Sequence, residues 1–421
     1  MLKIAMISYH TCPLATLGGK DTGGMNVYVR ELSIELGRRG IHVDIFTRSQ
    51  DEHVPHVLHE LGYGNRIVHV PAGPEHPLPK SELLDYIPEF VEGIKNFAAQ
   101  KNIQYDIIHS HYWLSGLAAE LLREEWQVPI VQMFHTLGEL KNRIAKSVDE
   151  YEGTYRLDNE RRVMATVDKI IAATPIEKEQ LKEFYLADER KITVIPPGVN
   201  LDHFYPIDTD EARDVIGIPK RDMVFLYVGR IEPLKGIDTL LRALACMNSK
   251  REVDHASLIV IGGNPNDTPE KMGAEMVRLQ TLCSDLCLNR TVLFLGKKDQ
   301  AYLHYYYSAA DALVMPSHYE SFGMVALEAM ACGTPVIASN VGGLSFLIKE
   351  GITGFHVPNG DPEALCRKLS MIEYDDLLRI KIGQQASEYA TEYSWKRIAD
   401  RMVRVYKEVS IEPDYLSTLR T

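Results

Sequence analysis

The chain has 421 residues, 45% of them apolar and 25% charged, which is too long for one ordinary core and suits two domains of about 200 residues. Its net charge is −12, with the acidic excess shared evenly between residues 1–200 and the remainder, so it lacks the basic face that nucleic-acid binding requires. No run approaches about 18 uninterrupted apolar residues and the first residues turn polar at once, so the expectation is a cytoplasmic protein with neither a membrane-spanning helix nor a secretory leader.

Short apolar, β-branched runs alternate with amphipathic ones along the whole chain. The pattern predicts strands over Lys3–Ser8, His42–Thr47 and Arg66–Pro71, with a helix over Met25–Gly40 between the first two. A helix near Leu83–Gln100 leads to a strand over Ile107–His109, a helix near Leu114–Glu125 and strands over Ile130–Phe134 and Lys169–Ala173. The turn Ile195-Pro196-Pro197-Gly198-Val199-Asn200 breaks both kinds of element and marks a domain boundary. A second series follows, with strands over Val224–Val228, Ser257–Ile261, Val292–Leu295, Ala312–Met315 and Pro335–Ala338 and helices from Ile237 and over Met324–Ala331. Such strands, separated by helices, imply parallel sheets buried on both faces. The expected fold is α/β, with two doubly wound Rossmann-like domains whose strand carboxyl ends face each other across a cleft. The domains are residues 1–198 and 199–393, and a helix within 394–421 returns to the first.

Chemistry-bearing residues fall at strand exits. Gly18-Gly19-Lys20-Asp21-Thr22-Gly23-Gly24 leads into the first helix, where paired glycines let backbone N–H groups approach a phosphate. The loop matches neither G-x-G-x-x-G nor the P-loop pattern, which argues against a dehydrogenase or a kinase; a loop that simply needs glycine is the plainer alternative. Arg230 follows the strand ending at Val228 and Lys235 opens the next helix. A forked and a mobile cation thus converge where a diphosphate would sit, unless both are ordinary surface cations. His135 leaves the strand Ile130–Phe134 as either a site residue or a structural one. His109 and His111 lie two apart with no third ligand at a sensible spacing, and the six cysteines are scattered, so no metal site is expected. Asp208-Thr209-Asp210 looks like a metal–nucleotide motif but stands where a helix cap is needed. Tyr319-Glu320-Ser321-Phe322-Gly323 joins the strand ending at Met315 to the helix that carries Glu328. Two carboxylates there suit a polyhydroxylated ligand. Alternatively Glu320 caps the helix, and Glu328, about two turns in, is solvated.

In this order the pieces resemble the retaining family 4 glycosyltransferases of the GT-B fold. The likeness covers almost the whole chain, from Gly23-Gly24 through Gly229-Arg230-(x)4-Lys235 to Glu320-(x)7-Glu328, with Gly333-Thr334-Pro335 and Gly342-Gly343 beyond. Segments 23–28, 109–116 and 135–137, with Lys141-Asn142, are most similar to inositol-phosphate glycosyltransferases, and sucrose-phosphate synthases come next. The resemblance implies that Arg230 and Lys235 hold the donor diphosphate and stabilise the leaving charge. It gives Glu328 to the ribose and Glu320 to the transferred hexose, with Ser321, Phe322 and Gly323 in the same donor site. Backbone near Lys297 and Lys298 would meet a uracil base, Gly23 and Gly24 the diphosphate, and His135 the donor sugar. An acceptor phosphate would lie among Lys80, Tyr112, Thr136 and Arg156, the last just ahead of a helix, with Asn26 near the acceptor ring.

Such an enzyme moves a hexosyl unit from UDP-glucose or UDP-GlcNAc to a hydroxyl of a small phosphorylated polyol or sugar. Front-face attack lets the leaving phosphate take the acceptor proton, so no cofactor and no essential divalent metal are implied. Sucrose-phosphate synthesis from UDP-glucose and fructose 6-phosphate is the same-class alternative. A non-catalytic sugar-nucleotide-binding protein and a GT-B epimerase are the others. No nucleic acid partner is expected, and a homodimer is compatible with the sequence.

Overall fold

The computed structural model describes residues 2–16, 22–145, 151–220, 223–249, 256–265, 267 and 272–417, so the Gly18–Asp21 part of the glycine loop lies outside the described residues. The chain forms two compact units. One gathers the residues up to Pro196, apart from Thr16–Lys20, with the segment from Trp395 onward, and the other joins Pro197–Ser394 to Thr16–Lys20.

The first unit opens with β1 (Lys3–Ile7), α1 (Gly24–Arg38), β2 (His42–Arg48), β3 (Val57–Leu58) and β4 (Arg66–Val70). It continues through α2 (Ile87–Lys101), β5 (Ile107–His111), α3 (Trp113–Trp126), β6 (Ile130–Met133) and α4 (Gly138–Asn142). Then come α5 (Thr154–Thr166), β7 (Lys169–Ala172), α6 (Pro175–Tyr185) and β8 (Ile192–Val194). The sheet order is β3-β4-β2-β1-β5-β6-β7-β8, parallel except for the short β3 against β4. Ile4, Met6, Ile45, Ile107 and Ile130 are wholly buried. Strands in the middle of such a sheet have no solvent face, which is why they read as apolar runs and not as alternations.

The second unit holds α7 (Thr209–Ile216), β9 (Met223–Val228), α8 (Ile237–Asn248), β10 (Ala256–Ile261), α9 (Ala274–Asp285) and β11 (Val292–Gly296). After these come α10 (Gln300–Ala309), β12 (Ala312–Met315), α11 (Met324–Ala331), β13 (Val336–Ser339) and α12 (Gly342–Leu347). It ends with β14 (Gly354–Val357), α13 (Pro362–Tyr374) and α14 (Asp376–Ala390). Its sheet order is β11-β10-β9-β12-β13-β14, parallel throughout the described pairs. Phe225, Tyr227, Leu258, Val260 and Val314 form one core face with Leu240 and Leu244 of α8 and Leu365 and Leu369 of α13. The chain then returns to the first unit as α15 (Trp395–Ser417). There Arg39, at the end of α1, bonds Asp400 at 2.8 Å and the Lys396 carbonyl at 2.7 Å.

Local sequence accounts for the element ends. Thr174 caps α6 by accepting from the Glu177 N–H, and Pro175 takes the first helical position, where no N–H is needed. Asp208 caps α7 from the Asp210 and Glu211 N–H groups, the role its place after the linker suggests. The strands β3, β8 and β14 escape the periodic reading, the first two because two or three residues carry too little pattern. Two positions differ from expectation. Arg156 lies in the first turn of α5 and not ahead of it, and Glu328 is one turn, not two, into α11.

In each sheet the strand order reverses once. The first unit grows from β1 toward β4 and restarts with β5 on the other side of β1, and the second restarts with β12 beside β9. Loops leaving neighbouring strands diverge at such a switch point, which leaves a crevice at the carboxyl ends.

Candidate functional site

At the switch point of the second unit, β9 leads to Gly229-Arg230 and β12 to Pro316–Phe322. The two loops are locked together by backbone. Gly236 has φ 63°, and a Cβ there would lie 2.1 Å from the Pro316 carbonyl oxygen, so only glycine lets the chain pass. The His318 N–H donates to the Leu234 carbonyl at 2.9 Å. This closure brings Lys235 Nζ to 2.6 Å from Glu320 Oε2, although the residues are 85 apart in sequence. Both side chains keep only 16% exposure, so the pair is sheltered from the screening that weakens surface ion pairs. Arg230 sits on the rim, 2.8 Å from Glu232.

Glu320 does not cap α11, since that position belongs to Gly323. The Glu320 carbonyl instead accepts from the Gly343 N–H at 2.8 Å. A Cβ on Gly342 would lie 2.2 Å from that carbonyl, and one on Gly343 2.3 Å from Phe322 Cα. The Gly342-Gly343 pair is therefore what lets the glutamate loop lie down on α12. Phe322 is buried with its ring against Tyr393, and pins the loop from below. Glu328 is not solvated: it is 7% exposed, and Tyr307 OH donates to its Oε2 at 2.7 Å. Burial and the neighbouring carboxylate hold the Tyr307 phenol well above its usual range, so it stays a donor. Lys298 follows the end of β11 and is half-buried, with Ser321 half-buried beside Glu320.

In the first unit, Tyr112 directly follows β5 and His135 lies two residues past β6, and both have strained backbone. Tyr112 has φ 74° and ψ 157°, a region close to glycine's own, and His135 has φ 61°. Such conformations cost about 1–3 kcal/mol each and persist only where the surroundings impose them. Tyr112 is 6% exposed and its ring lies near two cations, with Lys80 Nζ 5.3 Å and Arg156 Cζ 5.0 Å from the centroid. Burial raises the Tyr112 phenol above its usual value against the pull of Arg156 and Lys141. Arg156 is 4% exposed and reaches Thr136 twice, at 3.0 Å to its carbonyl and 3.2 Å to its hydroxyl. Four sequence-predicted residues, Lys80, Tyr112, Thr136 and Arg156, are thus brought into one cluster.

That cluster has members the motifs missed. Glu152 lies 2.7 Å from both Arg156 Nη1 and Lys141 Nζ. Burial opposes its charge, but Arg156, Lys141 and Lys80 outweigh that and hold its carboxyl below the usual range. Glu160, fully buried, takes Arg156 Nε at 2.8 Å. Its i,i+4 spacing from Arg156 was a readable signal of the pair.

Asn26 and the glycines Gly23 and Gly24 stand apart from this cluster, at the start of α1. Both Asn26 amide hydrogens are committed, to Thr11 Oγ1 at 2.8 Å and the Cys12 carbonyl at 2.7 Å, while its oxygen accepts from the Gly23 N–H at 2.9 Å. In this structure Asn26 ties the post-β1 loop to the helix start. His135 is half-buried, and Tyr28 packs edge-on against it at 5.3 Å and against His111 at 5.5 Å. Trp395 from α15 meets the Tyr28 ring at 5.3 Å, and Tyr406 OH lies 2.7 Å from Nδ1 of His109. Burial alone lowers the His135 imidazole well below its usual range, and burial together with the nearby His135 lowers that of His109 to about 3, so these rings are neutral.

Residues 22–203 match the model for Glycosyltransferase Family 4, and residues 208–389 that for Glycosyl transferases group 1. The D-inositol 3-phosphate glycosyltransferase of Saccharomonospora viridis is 38% identical over 96% of this chain and 94% of its own length. That of Actinosynnema mirum is 40% identical over 96% of this chain and 97% of its own. Among solved structures, the sucrose-phosphate synthase of Thermosynechococcus elongatus matches with a TM-score of 0.88 at 36% identity, covering 97% of this chain and 99% of that one. A near full-length likeness of this degree, carried on two doubly wound units, means that the chain belongs to the family 4 glycosyltransferases of the GT-B fold.

Proposed function

We propose that the protein transfers a hexosyl unit from a UDP-sugar to a hydroxyl of a small phosphorylated polyol, with retention of anomeric configuration. The observation that carries the acceptor class is the Tyr112 ring with both Lys80 and Arg156 close to it and Thr136 on the same guanidinium. A forked cation, a mobile cation and two hydroxyls gathered at the neighbouring exits of β5 and β6 are the donor set a phosphate monoester needs. Relatives named for D-inositol 3-phosphate and for sucrose phosphate support the same class.

On the donor side, Lys235 and Arg230 meet the diphosphate at the switch point, joined by the N–H groups that open α11 just past Gly323. These groups stabilise charge that grows as the sugar–phosphate bond breaks, which is where electrostatic preorganisation acts most strongly. Glu320, steered by Lys235, binds hexose hydroxyls, and Glu328, steered by Tyr307, binds those of the ribose. Neither carboxylate serves as a base. The leaving phosphate oxygen takes the proton of the attacking hydroxyl on the same face of the sugar, and the two cations make a divalent metal unnecessary.

The test is UDP release over donor and acceptor pairs, chiefly UDP-GlcNAc with D-inositol 3-phosphate and UDP-glucose with fructose 6-phosphate. The second pair is included because the sucrose-phosphate synthase shares the fold at a TM-score of 0.88. Turnover with one phosphorylated acceptor, unchanged by EDTA and giving the donor's anomer in the product, is the expected result. Lys235→Ala and Glu320→Ala should each lower it by about 10²–10³-fold, the cost of one preorganised group. Transfer only to unphosphorylated acceptors would overturn the reading.

A further inference from the structure

His135 leaves β6 through an unusual turn. Its φ is 61°, and the Thr136 N–H closes onto the Phe134 carbonyl at 2.7 Å, so three residues make a γ-turn of the rare positive-φ kind. The turn carries the imidazole back toward β5, where His135 Nε2 lies 2.9 Å from Nδ1 of His111. Burial, with the neighbouring His109 and His135, holds the His111 imidazole well below its usual range as burial does that of His135, so both rings are neutral and one nitrogen of this pair donates while the other accepts.

The surroundings of His111 select which. His111 is fully buried, and its remaining nitrogen, Nε2, has no hydrogen-bond partner among the described residues. Were Nδ1 the acceptor, Nε2 would carry the proton as an orphaned N–H walled in by the His109 ring at 4.2 Å and the Tyr28 ring at 5.5 Å. A buried donor without a partner is the rarer and costlier case. With the proton on Nδ1, His111 donates, and only an unused lone pair is left behind. His135 then accepts at Nε2, and its own proton has to sit on Nδ1.

We propose that His111 is a positioning residue that locks His135 in its Nδ1–H tautomer, so that His135 offers the bound sugar a hydrogen-bond donor and not a proton-accepting nitrogen. The lock rests on the reading of His135 as a sugar contact, and it explains why a strained turn is kept there: an unstrained exit from β6 would not bring the two rings together. Tyr28 is packed on both rings, with Trp395 of α15 behind it, so the pair cannot swing apart without opening the buried nest. The histidine at this site is thereby assigned against general-base chemistry, in keeping with a leaving phosphate that takes the proton.

The experiment is 15N NMR of histidine-labelled full-length protein, with the His135 signals assigned by their loss in His135→Gln. Its tautomer is read without any substrate, so the outcome does not depend on the acceptor being the right one. The expected wild-type result is a protonated Nδ1 and an unprotonated Nε2 on His135. In His111→Asn the amide N–H replaces the lost donor, and both the tautomer and kcat should stay within about threefold. In His111→Phe the ring volume is kept but the donor is gone. The tautomer should then become mixed and kcat fall about 10²-fold, with acceptor KM little changed, the size expected for one misplaced reacting group. A wild-type His135 protonated on Nε2 would overturn the lock, as would His111→Phe with unaltered tautomer and kcat.

Discussion

Replacing Arg156 by Met tests whether the acceptor cluster is a built electrostatic unit or a set of independent surface charges. Arg156 is 4% exposed, its Nε is 2.8 Å from the fully buried Glu160, and its Nη1 is 2.7 Å from Glu152. Methionine keeps the apolar stem but leaves the Glu160 carboxylate, among the described residues, with the Gly138 N–H at 3.0 Å and the Tyr185 hydroxyl. Stripping one partner from a buried pair costs about 3–5 kcal/mol, because the other charge stays behind unneutralised. The loss can be read on the first unit alone, since Trp113, Trp126 and Trp395 are the only tryptophans of the chain and all lie in it. Urea unfolding followed by tryptophan fluorescence should therefore show Arg156→Met destabilised by that amount. The double variant Arg156→Met/Glu160→Gln, which removes the stranded charge, should recover most of it. Activity separates from stability: the single variant, assayed well below its unfolding midpoint, should raise the KM for a phosphorylated acceptor about 10–100-fold, the loss of a charged hydrogen bond. A destabilisation under about 1 kcal/mol, or a double variant as weak as the sum of its parts, would refute the buried-pair argument.

Gly343→Ala should lower turnover by about 10²-fold while leaving the second unit folded. Its Cβ would meet Phe322 Cα at 2.3 Å and the Ser321 carbonyl at 2.4 Å, displacing Glu320 from Lys235 by an ångström or so; unchanged kcat would show that the loop is not set by α12. The buried His109 gives a pH signature. Burial lowers its imidazole from 6.5 to about 3, so between those values the unfolded chain binds a proton that the folded chain refuses. Its stability contribution is thus complete above about pH 6.5 and lost as pH falls, at roughly 1.4 kcal/mol per pH unit. His109→Gln, which can still pair with Tyr406, should lower the slope of urea midpoints taken from pH 7 to 4 by that one proton's share, the remainder belonging to His111 and His135, and an unaltered slope would count against a neutral buried His109.

How far the molecule could be read from its sequence depends on the range of the forces involved. The interior strands were legible because burial on both faces leaves no room for polar alternation, as in Ala312–Met315, whose bounds the pattern matched. The strand exits followed from that, and with them the places where Arg230, Lys235, Glu320, Tyr112 and His135 leave their sheets. What stayed hidden was set by neighbours distant in sequence. Nothing near Glu320 announces that its carboxylate lies against Lys235 or that Gly343 receives its carbonyl; those depend on β9 and β12 becoming neighbours at the strand-order reversal. Nor does the local sequence of His135 or Tyr112 favour positive φ. A histidine would leave β6 without strain if left to itself, and only the fixed places of His111, on β5, and of Phe134 and Thr136 hold it otherwise. The residues on which sequence pattern and observed backbone disagree most are therefore the ones at which the sheet imposes a geometry the chain would not choose. That imposition is the physical trace a preorganised site leaves in its scaffold.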